Sequence, residues 1–298
     1  MASLREIRRK IKSVKSTQQI TKAMKMVAAA RMRRAQNAIL ASRPFALKME
    51  VAVRDLAMME VAADQAAGRA VQIHPFFDRR EGDRVGLVLV TADKGLCGAF
   101  NTNLLRAAVD WLRRNQGKKV SVAVVGRKGR DLVHRIQGAD IQILAELVGI
   151  FPKASFAHAE LIGKPVIEAY LEGGLSSVTL IYNEFKSAVQ QRVVETQLLP
   201  IPAPEKGAAE KDSDFKFEPG REKLLEALLP RHIKAQLYRS LLESQAAELA
   251  ARMNAMDAAT KNASELMEGL TLGLNRTRQA MITNEIAELV GGAEALAS

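Results

Sequence analysis

Two long stretches at opposite ends of this chain carry almost nothing that breaks a helix. Residues 1–43 hold neither Gly nor Pro, and residues 231–298 hold no Pro. At ~1.5 Å per residue each supports a helix of roughly 60–100 Å, a length that points to a coiled coil or helical repeat. Leu4, Ile7, Ile11 and Val14 step by three or four residues, the spacing of a left-handed coiled-coil seam. The register continues through Gln18, Thr21, Lys25, Ala28, Met32, Ala35 and Ile39. Towards the other end Leu242, Ala246, Leu249, Met253, Met256, Thr260, Ala263, Met267, Leu270 and Leu274 keep the same rhythm. A stripe that narrow is not satisfied alone in water, so the two helices are expected to bury their seams against each other. With a compact region between them, antiparallel pairing is the simple solution.

The seam is an unusual one. A dimerisation zipper places Leu, Ile or Val at nearly every seam position, whereas the first helix presents Gln18, Thr21 and Lys25 and then the run Ala23–Ala30. The second helix answers with Ala250, Ala251, Arg252, Met253, Asn254, Ala255 and Met256. Small residues and flexible Met make adaptable surface rather than interlocking surface. Two readings follow: a weak, Ala-type coiled coil, or a shaft that another protein surrounds without gripping. Spacing alone leaves both open.

At 298 residues the chain is one large domain or two, and 48% hydrophobic content is ample for a core. No apolar run reaches the ~18 residues of a membrane-spanning helix, so a soluble or peripheral protein is expected. The single cysteine, Cys97, excludes an intramolecular disulfide and points to a reducing compartment. Charge is unevenly placed: residues 1–34 carry a net +10 and the rest of the chain +1. The basicity therefore belongs to one helix and points to a local acidic partner, whether nucleic acid, anionic lipid or an acidic protein surface. An Arg-rich, acid-poor start also fits a mitochondrial transit peptide, but the heptad register runs unbroken past any plausible cleavage site.

Between the ends the pattern changes. Arg43-Pro44 is expected to interrupt or kink the first helix, which resumes through Phe45, Met49, Val53, Leu56 and Met59 to about Ala63. Gly68 and the His74-Pro75 region read as a connector. Arg84–Thr91 is a short, nearly continuous apolar run, the signature of a strand buried on both faces. A helix over Asn101–Asn115, a strand over Val120–Val125, a helix over Arg127–Gln137 and a strand at Ile141–Leu144 follow. A helix over Phe156–Glu172 and strands over Ser177–Tyr182 and Arg192–Leu199 complete the series. Such alternation predicts a doubly wound, mostly parallel sheet with one added strand. Pro200, Pro202 and Pro204 then open a charged, small-residue stretch expected to be a mobile surface loop. Pro230 is read as the start of the long terminal helix, Gly269 and Gly273 as weak points inside it, and Gly291-Gly292 as the place where it ends or frays. The expected organisation is an α/β chain: a coiled coil from residues 1–63 and 221–298, an inserted Rossmann-like sheet domain over 76–200, and a loop over 201–220.

Few motifs suggest chemistry. The first strand-to-helix loop, Thr91–Asn101, lies where doubly wound folds bind ligands and contains Lys94. It has no G-x-G-x-x-G and the chain has no G-x-x-x-x-G-K-[ST], so a tight structural turn is favoured over a nucleotide site. Gly126-Arg127-Lys128-Gly129 matches the G-x-x-G loop of KH-type RNA binders, but four residues match easily by chance. Cys97 with His134 or His158 lacks dyad spacing, and His74, His134, His158 and His232 lack ligand spacing. No catalytic residue, cofactor or metal is assigned.

The two ends and the first loop carry a resemblance. Ile282–Ala293 is similar to the carboxy-terminal signature of the gamma subunits of rotary, F-type ATP synthases. Ile7–Val14 and Thr17–Ala29 resemble that family's first helix, and Asp93-Lys94-Gly95-Leu96-Cys97-Gly98 its first loop. The chain lacks the extra cysteine-bearing segment of chloroplast members, which sets aside thiol regulation of that kind. The resemblance implies a central rotor shaft, one copy per complex, inside a hexamer of alpha and beta subunits, with the sheet domain docked on the epsilon subunit and the membrane ring of c subunits. It implies that torque couples proton flow to ATP synthesis or hydrolysis on the hexamer, without catalytic residues in this chain. It further implies a peripheral place on the cytoplasmic face of a bacterial inner membrane, with the mitochondrial matrix as the lesser alternative. Expected partner contacts are Lys22, Met24, Lys25, Arg31, Arg252, Gln279, Thr283, Glu285 and Glu288. The competing readings are a nucleic-acid-binding protein with a basic helical arm, whose affinity falls steeply with salt, and an enzyme built on the Asp93–Asn101 loop.

Overall fold

The computed structural model describes residues 4–66, 68, 74–78, 80–136, 141–172, 174–202 and 220–297. The elements are α1 (Leu4–Ala66), β1 (Arg84–Val90), α2 (Phe100–Arg114), β2 (Lys119–Val125), α3 (Arg127–Arg135), β3 (Ile141–Leu147), α4 (Phe156–Leu171), β4 (Ser177–Phe185), β5 (Gln191–Leu199) and α5 (Arg221–Ala297). Their contacts separate into two compact units, residues 1–29 with 252–298, and residues 30–251.

In the larger unit five strands form one sheet in the order β3-β2-β1-β4-β5, parallel except for the β4–β5 pair. The apolar runs place β1 and β2 where six of seven residues are buried. Alternate side chains of β1 serve opposite faces, as the two-residue period of a strand requires. Val85, Leu87 and Leu89 pack with Phe100, Leu104, Ala108 and Trp111 of α2 and Val133 of α3. Val88 and Val90 pack with Ile162, Val166 and Tyr170 of α4, with Met49, Val53 and Leu56 of α1, and with Leu229, Ile233 and Leu237 of α5. The chain winds outward through β2 and β3, then returns to β4 on the other side of β1. The winding therefore reverses between β1 and β4.

Within this unit α5 is buried on every side from Ser240 to Ala250. Polar members of that stretch are bound to the sheet domain. Ser244 Oγ accepts the Asn183 N–H of β4 at 3.2 Å, and Gln245 Oε1 accepts the Ala154 N–H at 3.2 Å. Arg239 donates to Glu243 at 2.8 Å. The Tyr182 phenol is pushed far above its usual range by burial and then by the Glu243 charge.

In the smaller unit the antiparallel seam is explicit. Gln18 Nε2 donates to Ser264 Oγ at 2.7 Å, the Thr21 and Thr260 hydroxyls meet at 2.8 Å, and Lys25 Nζ donates to Asp257 Oδ1 at 2.6 Å. Numbers rise on one helix as they fall on the other. Ala28 and Met256 are buried in this unit. Carried on at the same register, Leu4 lies level with Arg278, and the rest of α5 has no stretch of α1 beside it. Residues from Gln279 to Gly292 are all exposed.

Prolines and glycines were weaker stops than expected. α1 runs through Pro44, which removes the donor for the Leu40 carbonyl on a face open to solvent. α5 begins at Arg221, so Pro230 lies inside it rather than at its start, and its helix continues through Gly291 and Gly292 to Ala297. Of the expected 201–220 loop, residues 203–219 lie outside the described residues.

Candidate functional site

A doubly wound sheet takes ligands beyond the carboxyl ends of its strands. In this chain the ends of β1, β2 and β3 are tied together by the chain's own side chains. Asp93, just after β1, accepts the Arg127 N–H at 3.0 Å on one carboxylate oxygen and the Gly149 N–H at 3.0 Å on the other. Its charge thus sits at the start of α3, the place a phosphate would seek. A nucleotide phosphate seated there would have to displace Asp93.

The rest of the loop is wired in the same way. The Thr91 hydroxyl donates to the Val125 carbonyl at 3.0 Å and accepts the Gly129 N–H at 2.8 Å. Asn101 accepts the Ala92 N–H at 3.0 Å and donates to the Lys94 carbonyl at 3.2 Å and to Cys97 Sγ at 3.3 Å. Cys97 is 1% exposed and belongs to the α2-side core. His134 bonds Glu146 and His158 bonds Ser155, so neither histidine hydrogen-bonds the thiol. Among the described residues no three His, Cys, Asp or Glu side chains gather as metal ligands.

The Gly126–Gly129 loop is explained by packing. Gly126 has φ +90°, and a Cβ on it would stand 2.2 Å from the Thr91 carbonyl oxygen. A Cβ on Gly129 would stand 2.8 Å from Val124 Cγ2. These glycines let the first turn of α3 lie directly on the ends of β1 and β2.

The expected contact residues fall in two groups. Lys22 and Arg31 are exposed, Met24 and Arg252 half-buried, and Lys25 is held by Asp257. Lys25 holds the Asp257 carboxyl below its ordinary range, chiefly through their hydrogen bond. Gln279, Thr283, Glu285 and Glu288 stand on the all-exposed end of α5, where Thr283 donates back to the Gln279 carbonyl at 2.9 Å. Beside them Ile282, Ile286, Leu289 and Val290 are 48–75% exposed. So long an apolar exposure is the mark of an interface.

One feature had no signal in the sequence. A cavity of about 350 Å³ opens between α1, the β4–β5 pair and α5, lined by Glu50, Arg54, Tyr182, His232, Gln236 and Arg239 among others. Burial holds the His232 imidazole below its ordinary range, with Glu50 pulling the other way. Its residues come from four elements far apart in sequence, so spacing could not assemble them.

A family model described as ATP synthase matches residues 3–296. An ATP synthase gamma chain of Elusimicrobium minutum is 45% identical over 302 residues, covering 99% of both chains. One from Anaeromyxobacter sp. strain K is 45% identical over 298 residues, covering 99% of this chain and all of the relative. Among solved structures, a chain of the Tetrahymena thermophila mitochondrial ATP synthase central stalk and c-ring matches with a TM-score of 0.59 and 27% identity, over 80% of this chain and 99% of that one. A chain of the Euglena gracilis mitochondrial ATP synthase shares the fold, with a TM-score of 0.65 at 20% identity, over 98% and 94%. The nucleic-acid reading finds no support in these relatives. With full-length matches of this kind, the chain belongs to the ATP synthase family, among its gamma chains.

Proposed function

We propose that this chain is the central-stalk rotor subunit of an F-type ATP synthase, carrying torque between a proton-driven c ring and a catalytic hexamer of alpha and beta subunits. The observation that carries the reading is the antiparallel pairing of the chain's two ends, with α5 running on alone beyond Leu4. A helix end exposed on all sides, with four large apolar residues bare, needs a sleeve around it. The full-length likeness to gamma chains supplies the identity of that sleeve.

On this reading the epsilon subunit and the c ring dock on the larger unit, with one copy of this chain per complex. Lys22, Lys25, Arg31 and Arg252 meet acidic surfaces of the hexamer, Met24 is a further contact beside them, and Gln279, Thr283, Glu285 and Glu288 hydrogen-bond to whatever encloses the end of α5. Catalysis belongs to the hexamer. In support, the start of α3, where a phosphate would be drawn, is occupied by Asp93. No described helix is long and apolar enough to cross a membrane. The complex would sit at the cytoplasmic face of a bacterial inner membrane, as a peripheral assembly held by its ring. Affinity purification under mild conditions tests this. Alpha and beta subunits should come down with the chain, and the chain alone should not turn over ATP. Recovery of nucleic acid instead, or turnover by the isolated chain, overturns the proposal.

A further inference from the structure

The outward face of α1 in the larger unit carries a second apolar row that nothing in the chain covers. Leu40, Leu47 and Val51 are 62%, 50% and 44% exposed. Their steps of seven and four put them within about 40° of one another at 100° per residue, a straight seam over three turns. Phe45, 60% exposed, lies well away from this row, at the border of the buried face. The opposite face of this helix is fully engaged, with Met49, Val53 and Leu56 in the core. Single exposed leucines are ordinary, but a seam in register along an already anchored helix is the pattern of a docking ridge.

The charges beside the seam select the occupant. Arg33, Arg43 and Lys48 flank it, all exposed, and none makes an ion pair among the described residues. Glu50 lines the cavity with His232 and Arg239 instead. Three unpaired cations along an apolar seam fit a helix whose own apolar stripe is bordered by carboxylates. A second copy of this chain would bring the same cations to the same place. A lipid surface takes a broad apolar face with aromatic anchors, and this row is narrow and carries neither Trp nor Tyr.

We propose that the Leu40–Leu47–Val51 seam docks an acidic amphipathic helix of a neighbouring subunit in the same complex. This rests on the rotor reading and assigns it a surface outside the helix ends. A photo-cross-linking side chain at position 47, in the complex purified under mild conditions, should capture a segment of another subunit with at least two carboxylates within a turn of the captured residue. Arg43→Glu with Lys48→Glu should weaken retention of that subunit about tenfold or more, as like charges then face each other. These positions are exposed, so the melt of the sheet domain should match the parent and report any misfolding separately. Capture only of lipid, only of a second copy, or of nothing overturns the proposal. So does capture of a segment without carboxylates, or unchanged retention of the captured subunit by the charge-reversed chain. If the parent chain fails to bring down alpha and beta subunits, the rotor reading falls. If it brings them down and position 47 captures nothing, only the seam falls.

Discussion

The polar rungs between α1 and α5 differ in how firmly they tie the helices, and the difference can be worked out from proton counts. At Gln18–Ser264 each contact has its own proton. The Gln18 amide donates across the seam at 2.7 Å, and the Ser264 hydroxyl donates back to the Thr260 carbonyl at 3.2 Å. At Thr21–Thr260 two hydroxyl protons face three contacts: the Gln18 carbonyl at 3.0 Å, the Met256 carbonyl at 2.7 Å, and each other at 2.8 Å. One of the three is without a proton at any moment. When both hydroxyls bond back to their own helices, the cross-seam bond vanishes and neither group is left unsatisfied. A cross-seam hydrogen bond contributes about 0.5–1.5 kcal/mol net. The coupling energy of a Gln18→Ala, Ser264→Ala cycle should therefore be about 1 kcal/mol, and that of a Thr21→Val, Thr260→Val cycle below about 0.5 kcal/mol.

A whole-chain melt would mix this local tie with the sheet domain, so the readout must be local. Cysteines at Val14 and Met267, one heptad from the threonine rung, report it in a Cys97→Ala background. The equilibrium constant for closing that disulfide in a glutathione buffer measures how often the two helices are together. Gln18→Ala should lower it about fivefold, equivalent to about 1 kcal/mol. Disulfide closure untouched by Gln18→Ala, or a threonine cycle as strong as the Gln–Ser cycle, refutes the proton-count argument.

Neutralising Lys22, Lys25, Arg31 and Arg252 together should weaken coupling in the reconstituted complex noticeably at low salt and little at high salt, while Lys25→Ala alone changes it slightly, since exposed pairs contribute only ~0.2–1 kcal/mol each; a quadruple variant that pumps like the parent at low salt removes the acidic-partner idea. Deleting residues 280–298 should leave the cooperative melt of the sheet domain intact and lower ATPase activity of the reassembled complex; a truncated chain that unfolds by itself shows that the tip belongs to the fold. Gly126→Ala should cost about 3 kcal/mol, because a left-handed residue is strained and its Cβ would meet the Thr91 carbonyl. Gly149→Ala, at φ +78° in open space, should cost only ~1–2 kcal/mol, and equal losses in urea titrations would contradict the contact. His232 has a folded pKa below its unfolded one, so the folded state binds fewer protons. Its contribution is complete above about pH 6.5 and is lost as pH falls through the folded pKa. His232→Gln should flatten the dependence of the urea midpoint between pH 5 and 7; an unchanged slope rules His232 out as a source.

The sheet was legible because its signals are local. A strand buried on both faces has to be a short apolar run, and β1 and β2 each appear as one in the sequence, while β4 shows alternating burial. The antiparallel pairing of the ends was equally open to reading, since matched heptads need matched partners. Its register was not. Ala and Met layers fit at several offsets, and only the pairs Gln18–Ser264 and Lys25–Asp257 choose one. The helix ends depart from expectation because Pro and Gly do not act as stops here. Pro44 and Pro230 each cost one hydrogen bond, which a helix held by core residues on its other turns can spare. The wiring of Asp93 was invisible for another reason. Its two donors, Arg127 and Gly149, lie 34 and 56 residues away and meet it only once β2 and β3 are in place.

That wiring also bears on why an α/β sheet of this topology can serve as a mechanical part. Beyond the carboxyl ends of β1, β2 and β3 the fold leaves a helix start, that of α3, which favours a bound anion. Left open, such a place is a soft spot: three loops converge on it with no side chains to hold them. Asp93 supplies the anion and joins the β2–α3 and β3–α4 loops to β1. Thr91 clamps β2 and α3, and Asn101 closes the loop on itself. Every one of these bonds has a backbone group at one end, so the site resists distortion without depending on a ligand. A chain whose task is to transmit force gains more from that rigidity than from a vacancy for a nucleotide.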